Sequence, residues 1–167
     1  FQIEKSKFLK NSNILKIEIL KKLLTTSSGK IFSPKKKPVL QILKLLKKDI
    51  SFVYTLHTCL IKVNSRHIKI YKEILNKKRT EKFFLKKGEE YFWQNRFIIK
   101  SKKYDLKFEN ILHKNWSILK KKNKFQNVNL DFLTIQSLPL FKVKNKKIVP
   151  FLSTNKVLDD YGISFFF

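Results

Sequence analysis

The 167-residue sequence has no alanine and no methionine, only three glycines and four prolines, and a single cysteine. One cysteine excludes both an intramolecular disulfide and a cysteine-based zinc site. Three glycines are too few for a glycine-rich phosphate loop, and neither common form of that loop occurs. No run approaches the roughly 18 uncharged apolar residues of a transmembrane helix, and no signal peptide is recognisable at the start. Because methionine is absent even at position 1, we expect that the chain lacks its natural start.

Acidic residues are also scarce, since 12 Asp and Glu face 38 Lys and Arg, which gives a formal charge of +26. A charge of this size attracts phosphate backbones. Lys, Asn, Ile and Phe have AT-rich codons, so a biased gene explains part of the lysine excess. Such a gene would also encode Asp and Glu, but these residues are few in this sequence. The composition, 43% hydrophobic and 14% aromatic, therefore predicts a folded protein with a polyanionic partner, RNA above all.

The hydrophobic period changes along the chain, and the change predicts an α+β fold. Apolar residues recur at helical spacing over residues 13–25 and 38–48, which predicts a helical hairpin. We predict that this hairpin is followed by a small mixed β-sheet domain with one or two helices. Strands are expected over residues 51–63, 67–72, 91–100, 104–108, 140–143 and 147–152, and further helices over 110–122 and 130–137.

No residue pattern predicts a catalytic, cofactor-binding or metal-binding site. The histidines His57, His67 and His113 are scattered, without carboxylates at metal-ligand spacing. Cys59 and His57 could be imagined as a nucleophile and base on one strand face, but a buried cysteine in a strand core is the favoured interpretation. The sequence therefore favours binding over catalysis.

One cluster, residues 91–97, contains Trp93 and one of only three arginines, Arg96. An arginine in a gene that otherwise uses lysine suggests that its planar guanidinium is needed. In a strand, Trp93, Asn95 and Phe97 would share one face, either as a core with Arg96 paired to an acid or in contact with RNA. Basic runs at turns and helix ends add phosphate contacts without sequence readout. The candidate RNA-binding residues are Lys35, Lys36, Arg66, Arg79, Trp93, Arg96, Trp116, Lys120 and Lys121.

Seven short motifs occur in an order that resembles the C-terminal part of the tRNA(Ile)-lysidine synthase family, in its alphaproteobacterial or mitochondrial type. The motifs are Ser28-Gly29-Lys30-Ile31-Phe32-Ser33-Pro34-Lys35, Thr55-Leu56-His57-Thr58-Cys59, Lys72-Glu73, Trp93-Gln94-Asn95-Arg96-Phe97, Asn115-Trp116, Ser137-Leu138-Pro139-Leu140 and Val149-Pro150-Phe151-Leu152. The sequence departs from the family where two glycines before the cysteine are His57 and Thr58. It departs again where the aspartate of the tryptophan motif is Gln94.

The resemblance implies a part of an ATP-dependent ligase that joins free lysine to the wobble cytidine of an isoleucine tRNA. It implies tRNA, most simply tRNA-Ile, as the partner, with no membrane. ATP and lysine would bind a separate N-terminal domain, because the family's Ser-Gly-Gly-x-Asp-Ser motif is not in this sequence. Residues 1–49 would be a helical tRNA-binding or linker segment and residues 50–167 a C-terminal α+β domain. The composition suggests the mitochondrial matrix, or the cytoplasm of an AT-rich bacterium. A lysine-rich organellar or bacterial ribosomal protein that binds rRNA is the alternative.

Overall fold

The computed structural model describes residues 1–48, 50–74, 82–122, 130–143, 146–153 and 155–166. The chain forms two compact units, Phe1–Glu73 (unit 1) and Ile74–Phe167 (unit 2). Both units contain helices and antiparallel strands, so the predicted α+β class is confirmed. The sequence-based division after residue 49 follows the change of hydrophobic period. The compact units divide later, because the strands that follow residue 49 pack on the first helices.

Unit 1 begins with a short strand and three helices, namely β1 (Gln2–Glu4), α1 (Lys5–Leu9), α2 (Asn13–Ser28) and α3 (Lys36–Leu46). Helix α2 starts at Ser12, whose hydroxyl oxygen accepts a hydrogen bond from the Leu15 amide at 3.3 Å. It ends at Gly29, whose φ of 70° is the left-handed conformation that glycine adopts readily. Apolar side chains at three- and four-residue spacing turn α2 and α3 towards one core, which confirms the predicted helical hairpin.

Three strands complete unit 1, namely β2 (Phe52–Leu56), β3 (Cys59–Val63) and β4 (His67–Lys72). They form an antiparallel sheet with β1, in the order β1-β4-β3-β2. The single strand predicted over residues 51–63 is wrong, because a two-residue turn at His57 and Thr58 divides it. Cys59 is fully buried in the core between sheet and helices, as the favoured interpretation of that residue expected.

Unit 2 contains two further antiparallel sheets where one mixed sheet was expected. The four-stranded sheet has the order β10-β9-β8-β5 and the three-stranded sheet the order β11-β7-β6. The strands are β5 (Lys82–Leu85), β6 (Glu90–Trp93), β7 (Phe97–Ser101), β8 (Leu106–Asn110), β9 (Pro139–Val143), β10 (Lys146–Ile148) and β11 (Ile163–Phe166). The helices are α4 (His113–Lys122), α5 (Phe132–Gln136) and α6 (Asn155–Asp160), with a 3-10 turn at Pro150–Leu152. No helix of the described ranges is long and apolar enough to cross a bilayer.

The strand predicted over residues 91–100 is a hairpin of β6 and β7. Its turn consists of Gln94, Asn95 and Arg96, and the first two of these have φ values of 52° and 55°, in the left-handed region that tight hairpin turns use. Trp93 pairs directly with Phe97 across this hairpin, and both side chains are buried. Asn95 lies in the turn, so the shared strand face predicted for Trp93, Asn95 and Phe97 is wrong.

Candidate nucleic-acid interface

Three of the ordered motifs meet in unit 1, at one end of its sheet. The Nε2 atom of His57, in the β2–β3 turn, lies 2.9 Å from the carbonyl oxygen of Phe32, in the α2–α3 loop. The two rings meet edge to face with 5.5 Å between centroids. From the end of β4, the ammonium of Lys72 donates to the carbonyl oxygen of Ser28. We call this group the loop cluster and define it as residues 28–36, His57, Thr58 and Lys72.

The core beneath the loop cluster fixes its position through backbone groups. The amide of Glu73 donates to the carbonyl oxygen of Thr58 at 2.9 Å, which ties the turn to the end of β4. The thiol of Cys59 lies 3.5 Å from the carbonyl oxygen of Leu24 in α2. Pro34 is buried, so the loop is anchored between the two helices. The cluster is therefore built on packed elements rather than on an isolated loop.

Basic and apolar side chains of the loop cluster face solvent. Ile31 and Phe32 are exposed, and the Lys30 ammonium lies 5.6 Å from the centroid of the Phe32 ring. Lys35 and Lys36 are exposed at the start of α3, which has no acidic residue in its first turn. Positive side chains there repel the positive end of the helix dipole. A bound phosphate would be attracted by both the lysines and the dipole.

The surroundings of His57 lower the pKa of its ring. Burial lowers its pKa, the charge of Lys30 lowers it further, and the hydrogen bond to the Phe32 carbonyl acts in the opposite direction. Because a carbonyl oxygen only accepts hydrogen bonds, the Nε2 atom must carry the proton in this contact. His57 therefore donates the hydrogen bond that joins the turn to the α2–α3 loop.

The β2–β3 turn keeps its tight geometry although it has no glycine. His57 and Thr58 have φ values of 56° and 54°, and Leu56 pairs directly with Cys59 on either side of them. Glycine adopts such angles freely, whereas a β-branched residue in this region is an outlier that costs on the order of 1–3 kcal/mol. The replacement of the family's two glycines therefore does not open the turn, and the strain falls on Thr58.

The other four motifs meet inside unit 2. The indole Nε1 of Trp93 donates to the carbonyl oxygen of Ser137 at 3.0 Å. The rings of Phe97 and Phe151 lie 5.3 Å apart, centroid to centroid. Four further motif residues share one buried cluster, namely Trp116, Leu138, Leu140 and Val149. These motifs therefore build the core of unit 2.

The nine candidate residues fall into different environments. In unit 1, Lys35 and Lys36 belong to the loop cluster, whereas Arg66 is exposed in the β3–β4 turn at the opposite end of the strands. In unit 2, the side chains of Trp93 and Trp116 are 1% and 7% exposed, which leaves little ring surface for a base.

The remaining candidates are basic. The guanidinium carbon of Arg96 lies 4.7 Å from the centroid of the Phe97 ring, and Lys120 and Lys121 are exposed on α4. Arg79 lies outside the described residues. RNA contact by any of the nine stays a prediction.

Three members of the loop cluster were missed as candidates, namely Lys30, Phe32 and Lys72. Each lies inside a motif that was recognised, so the signal was present in the sequence. What the sequence did not provide is the pairing of the α2–α3 loop with the β2–β3 turn, because the turn itself was read as continuous strand.

Comparison with known proteins supports the resemblance seen in the motifs. No family model matches the chain. The chain is 34% identical over 158 residues to the tRNA(Ile)-lysidine synthase of Rickettsia rickettsii, which covers 88% of this chain and 32% of the relative. It is 38% identical over 93 residues to the synthase of Rickettsia akari. The same identity and length describe its match to the synthase of Rickettsia prowazekii.

The chain spans about a third of the length of the first of these relatives. The identity of 34% over 88% of the chain confirms the resemblance to the C-terminal part of tRNA(Ile)-lysidine synthase. The names of these relatives refer to lysidine synthesis on an isoleucine tRNA. The relatives named here are bacterial, whereas the first expectation was a mitochondrial source, with an AT-rich bacterium as the alternative.

Proposed function

We propose that this chain is the tRNA-binding part of a tRNA(Ile)-lysidine synthase. The observation that carries the proposal is the similarity to synthases of that name over 88% of the chain. The loop cluster supports it, since three motifs of the resemblance meet there around exposed lysines. No observation favours the ribosomal alternative.

In this proposal the chain holds the substrate and does not carry out the ligation. The ligase would use ATP to activate the wobble cytidine of tRNA-Ile and would then join the amine of free lysine to it. We assign ATP and lysine to another domain, because the sequence has no Ser-Gly-Gly-x-Asp-Ser motif. Contacts with distant phosphates would fix the position of the wobble base, and positioning of this kind can supply a large part of a rate enhancement.

Lys30, Lys35 and Lys36 are the residues of the loop cluster that we expect to contact phosphates. Lys35 and Lys36 lie at the start of α3, which has no acid in its first turn, and Lys30 lies beside the Phe32 ring in the preceding loop. We propose the mitochondrial matrix or the cytoplasm of an AT-rich bacterium.

Filter binding of labelled tRNA-Ile transcript to the purified chain tests the proposal. The affinity should fall steeply with salt, since each phosphate contact contributes about −0.9 to the slope of log K against log salt on duplex regions. Unlabelled tRNA should compete better than an rRNA fragment of equal length. Equal competition by the two RNAs, or an affinity independent of salt, would count against tRNA as the partner.

A set of matched variants locates the binding. In the variant with Lys30→Gln, Lys35→Gln and Lys36→Gln, the magnitude of the slope of log K against log salt should decrease by about 2 to 3. The control carries the same change at Lys10, Lys22 and Lys48, which are exposed in unit 1 outside the loop cluster. Equal losses in both variants would show that the total charge matters and the loop cluster does not.

A further inference from the structure

A row of three lysines and one phenylalanine crosses the four-stranded sheet of unit 2. Phe84 of β5 lies directly opposite Lys107 of β8. Lys107 lies opposite Lys142 of β9, which lies opposite Lys147 of β10. Directly paired residues of antiparallel strands project to the same face of a sheet. We call these four residues the sheet row.

The neighbouring row projects to the other face and is apolar. Phe83, Phe108, Phe141 and Ile148 are paired across the same four strands, and the last three of them are buried. The two rows therefore lie on opposite faces of the sheet. The apolar row belongs to the core, whereas the sheet row is exposed, although Glu109 and Leu140 further along the same face are buried. Phe84 departs from this pattern, because it is an aromatic residue on the solvent side with 54% of its surface exposed.

The charges of the sheet row are only partly balanced. The ammonium of Lys142 lies 2.8 Å from a carboxylate oxygen of Glu109, which is itself buried and also accepts a hydrogen bond from Asn115. Lys107 and Lys147 are exposed, and neither has an ion pair with an acid among the described residues. Like charges on directly opposed strand positions repel. A polyanion lying across the strands would relieve that repulsion.

We propose that the sheet row binds a single-stranded segment of RNA. Phe84 stacks on an unpaired base, and Lys107, Lys142 and Lys147 contact phosphates of the same strand. Adjacent strands are about 4.8 Å apart, so the three lysines form a short row of positive charges. The spacing of the ammonium groups can adjust to the phosphates, because lysine side chains are long. An exposed aromatic beside a basic groove is how proteins bind single strands without reading their sequence. An acidic peptide would satisfy the lysines but provides no base for Phe84.

This inference rests on the proposed function in one respect, since it requires RNA to be the ligand. It concerns a different surface from the loop cluster and depends on different residues. The strand pairing carries it independently, because no motif of the family resemblance includes Phe84, Lys107, Lys142 or Lys147.

The first test compares two phenylalanines of equal exposure. Phe84 and Phe92 are each 54% exposed, and both lie on strands of unit 2. The Phe84→Leu variant keeps an apolar side chain but loses the ring, so its affinity for a 12-nucleotide single-stranded RNA should fall about fivefold or more. Affinity for a duplex of the same sequence should stay within twofold, and Phe92→Leu should change neither. An unchanged single-strand affinity in Phe84→Leu would overturn the proposal.

The second test concerns the lysines. Lys142 is left intact because its removal would leave Glu109 buried without its partner. The double variant Lys107→Gln and Lys147→Gln should reduce the salt slope for the single strand by about 1.4, at about 0.7 for each phosphate contact. The control double variant changes Lys86 and Lys102, which are exposed in unit 2 outside the sheet row. Equal slopes in the two double variants would contradict the proposal.

Ultraviolet cross-linking of the unaltered chain to the single strand covers the case in which a variant fails to fold. The cross-linked peptide should contain Phe84, and a cross-link confined to other peptides would overturn the proposal. If the unaltered chain binds no RNA of any kind, the proposed function fails as well. If it binds RNA but the sheet-row variants match their controls, only the present inference fails.

Discussion

Replacing Thr58 by glycine should stabilise unit 1, although glycine normally weakens a β-sheet. Thr58 has a φ of 54°, and its carbonyl oxygen accepts a hydrogen bond from the Glu73 amide, so the turn cannot relax without losing that contact. Relief of the left-handed conformation of a β-branched residue contributes about 1–2 kcal/mol. The greater freedom of glycine in the unfolded chain offsets about 0.5–1 kcal/mol of this. We expect a net gain of about 0.5–1 kcal/mol.

Thermal unfolding followed by far-ultraviolet circular dichroism measures this gain. A change of 1 kcal/mol shifts Tm by about 4–8 °C in a unit of 60–100 residues, so Thr58→Gly should raise Tm by about 2–8 °C. Thr55→Gly is the matched control, because Thr55 is an exposed residue of β2 with extended backbone. This control should lose up to about 1 kcal/mol. A loss of stability in Thr58→Gly as large as that in Thr55→Gly would refute the strain argument.

Three further predictions concern single side chains. The pKa of His57 is lowered, so its neutral form contributes stability above pH 6.5, the ordinary value. This contribution is lost as pH falls towards the folded pKa, and urea titrations should show a shallower decline below pH 6.5 in His57→Gln than in His113→Gln. Trp93→Phe removes the donor to the Ser137 carbonyl and should cost about 2 kcal/mol, measured by the fluorescence of Trp116. A cost below about 0.5 kcal/mol would show that this bond contributes little. Lys142→Met should cost more than Glu109→Gln by about 1–3 kcal/mol in urea unfolding, because it leaves a buried carboxylate unpaired. The reverse order would contradict this.

The two helices of the N-terminal hairpin could be predicted because their apolar residues repeat at helical spacing, from Ile17 to Leu24 and from Val39 to Leu46. The change to β structure after residue 50 was equally visible. The two hairpin turns were not, because His57-Thr58 and Gln94-Asn95 have no glycine to mark a positive φ. A turn of two or three residues between two apolar runs then reads as one continuous strand.

The candidate site, like the fold, was only partly predictable from local sequence. Lys35 and Lys36 could be found from local sequence, because a basic run at a helix start is visible there. The approach of His57 to Phe32 depends on packing between segments 25 residues apart, which no local pattern encodes. Trp93 and Trp116 were named for their chemistry, but both are buried. Their burial depends on packing between separate segments of the chain, which no local pattern encodes. The sheet row depends on strand pairing, which the sequence leaves open until the register is known.

Chemical protection of lysines by tRNA tests the central claim most directly. The purified chain is acetylated with and without a saturating tRNA-Ile transcript, and the modification of each lysine is measured by mass spectrometry. If the chain holds tRNA as proposed, Lys30, Lys35 and Lys36 become protected, while the exposed Lys10, Lys22 and Lys48 do not. Equal protection of the two groups, or none at all, would contradict the account.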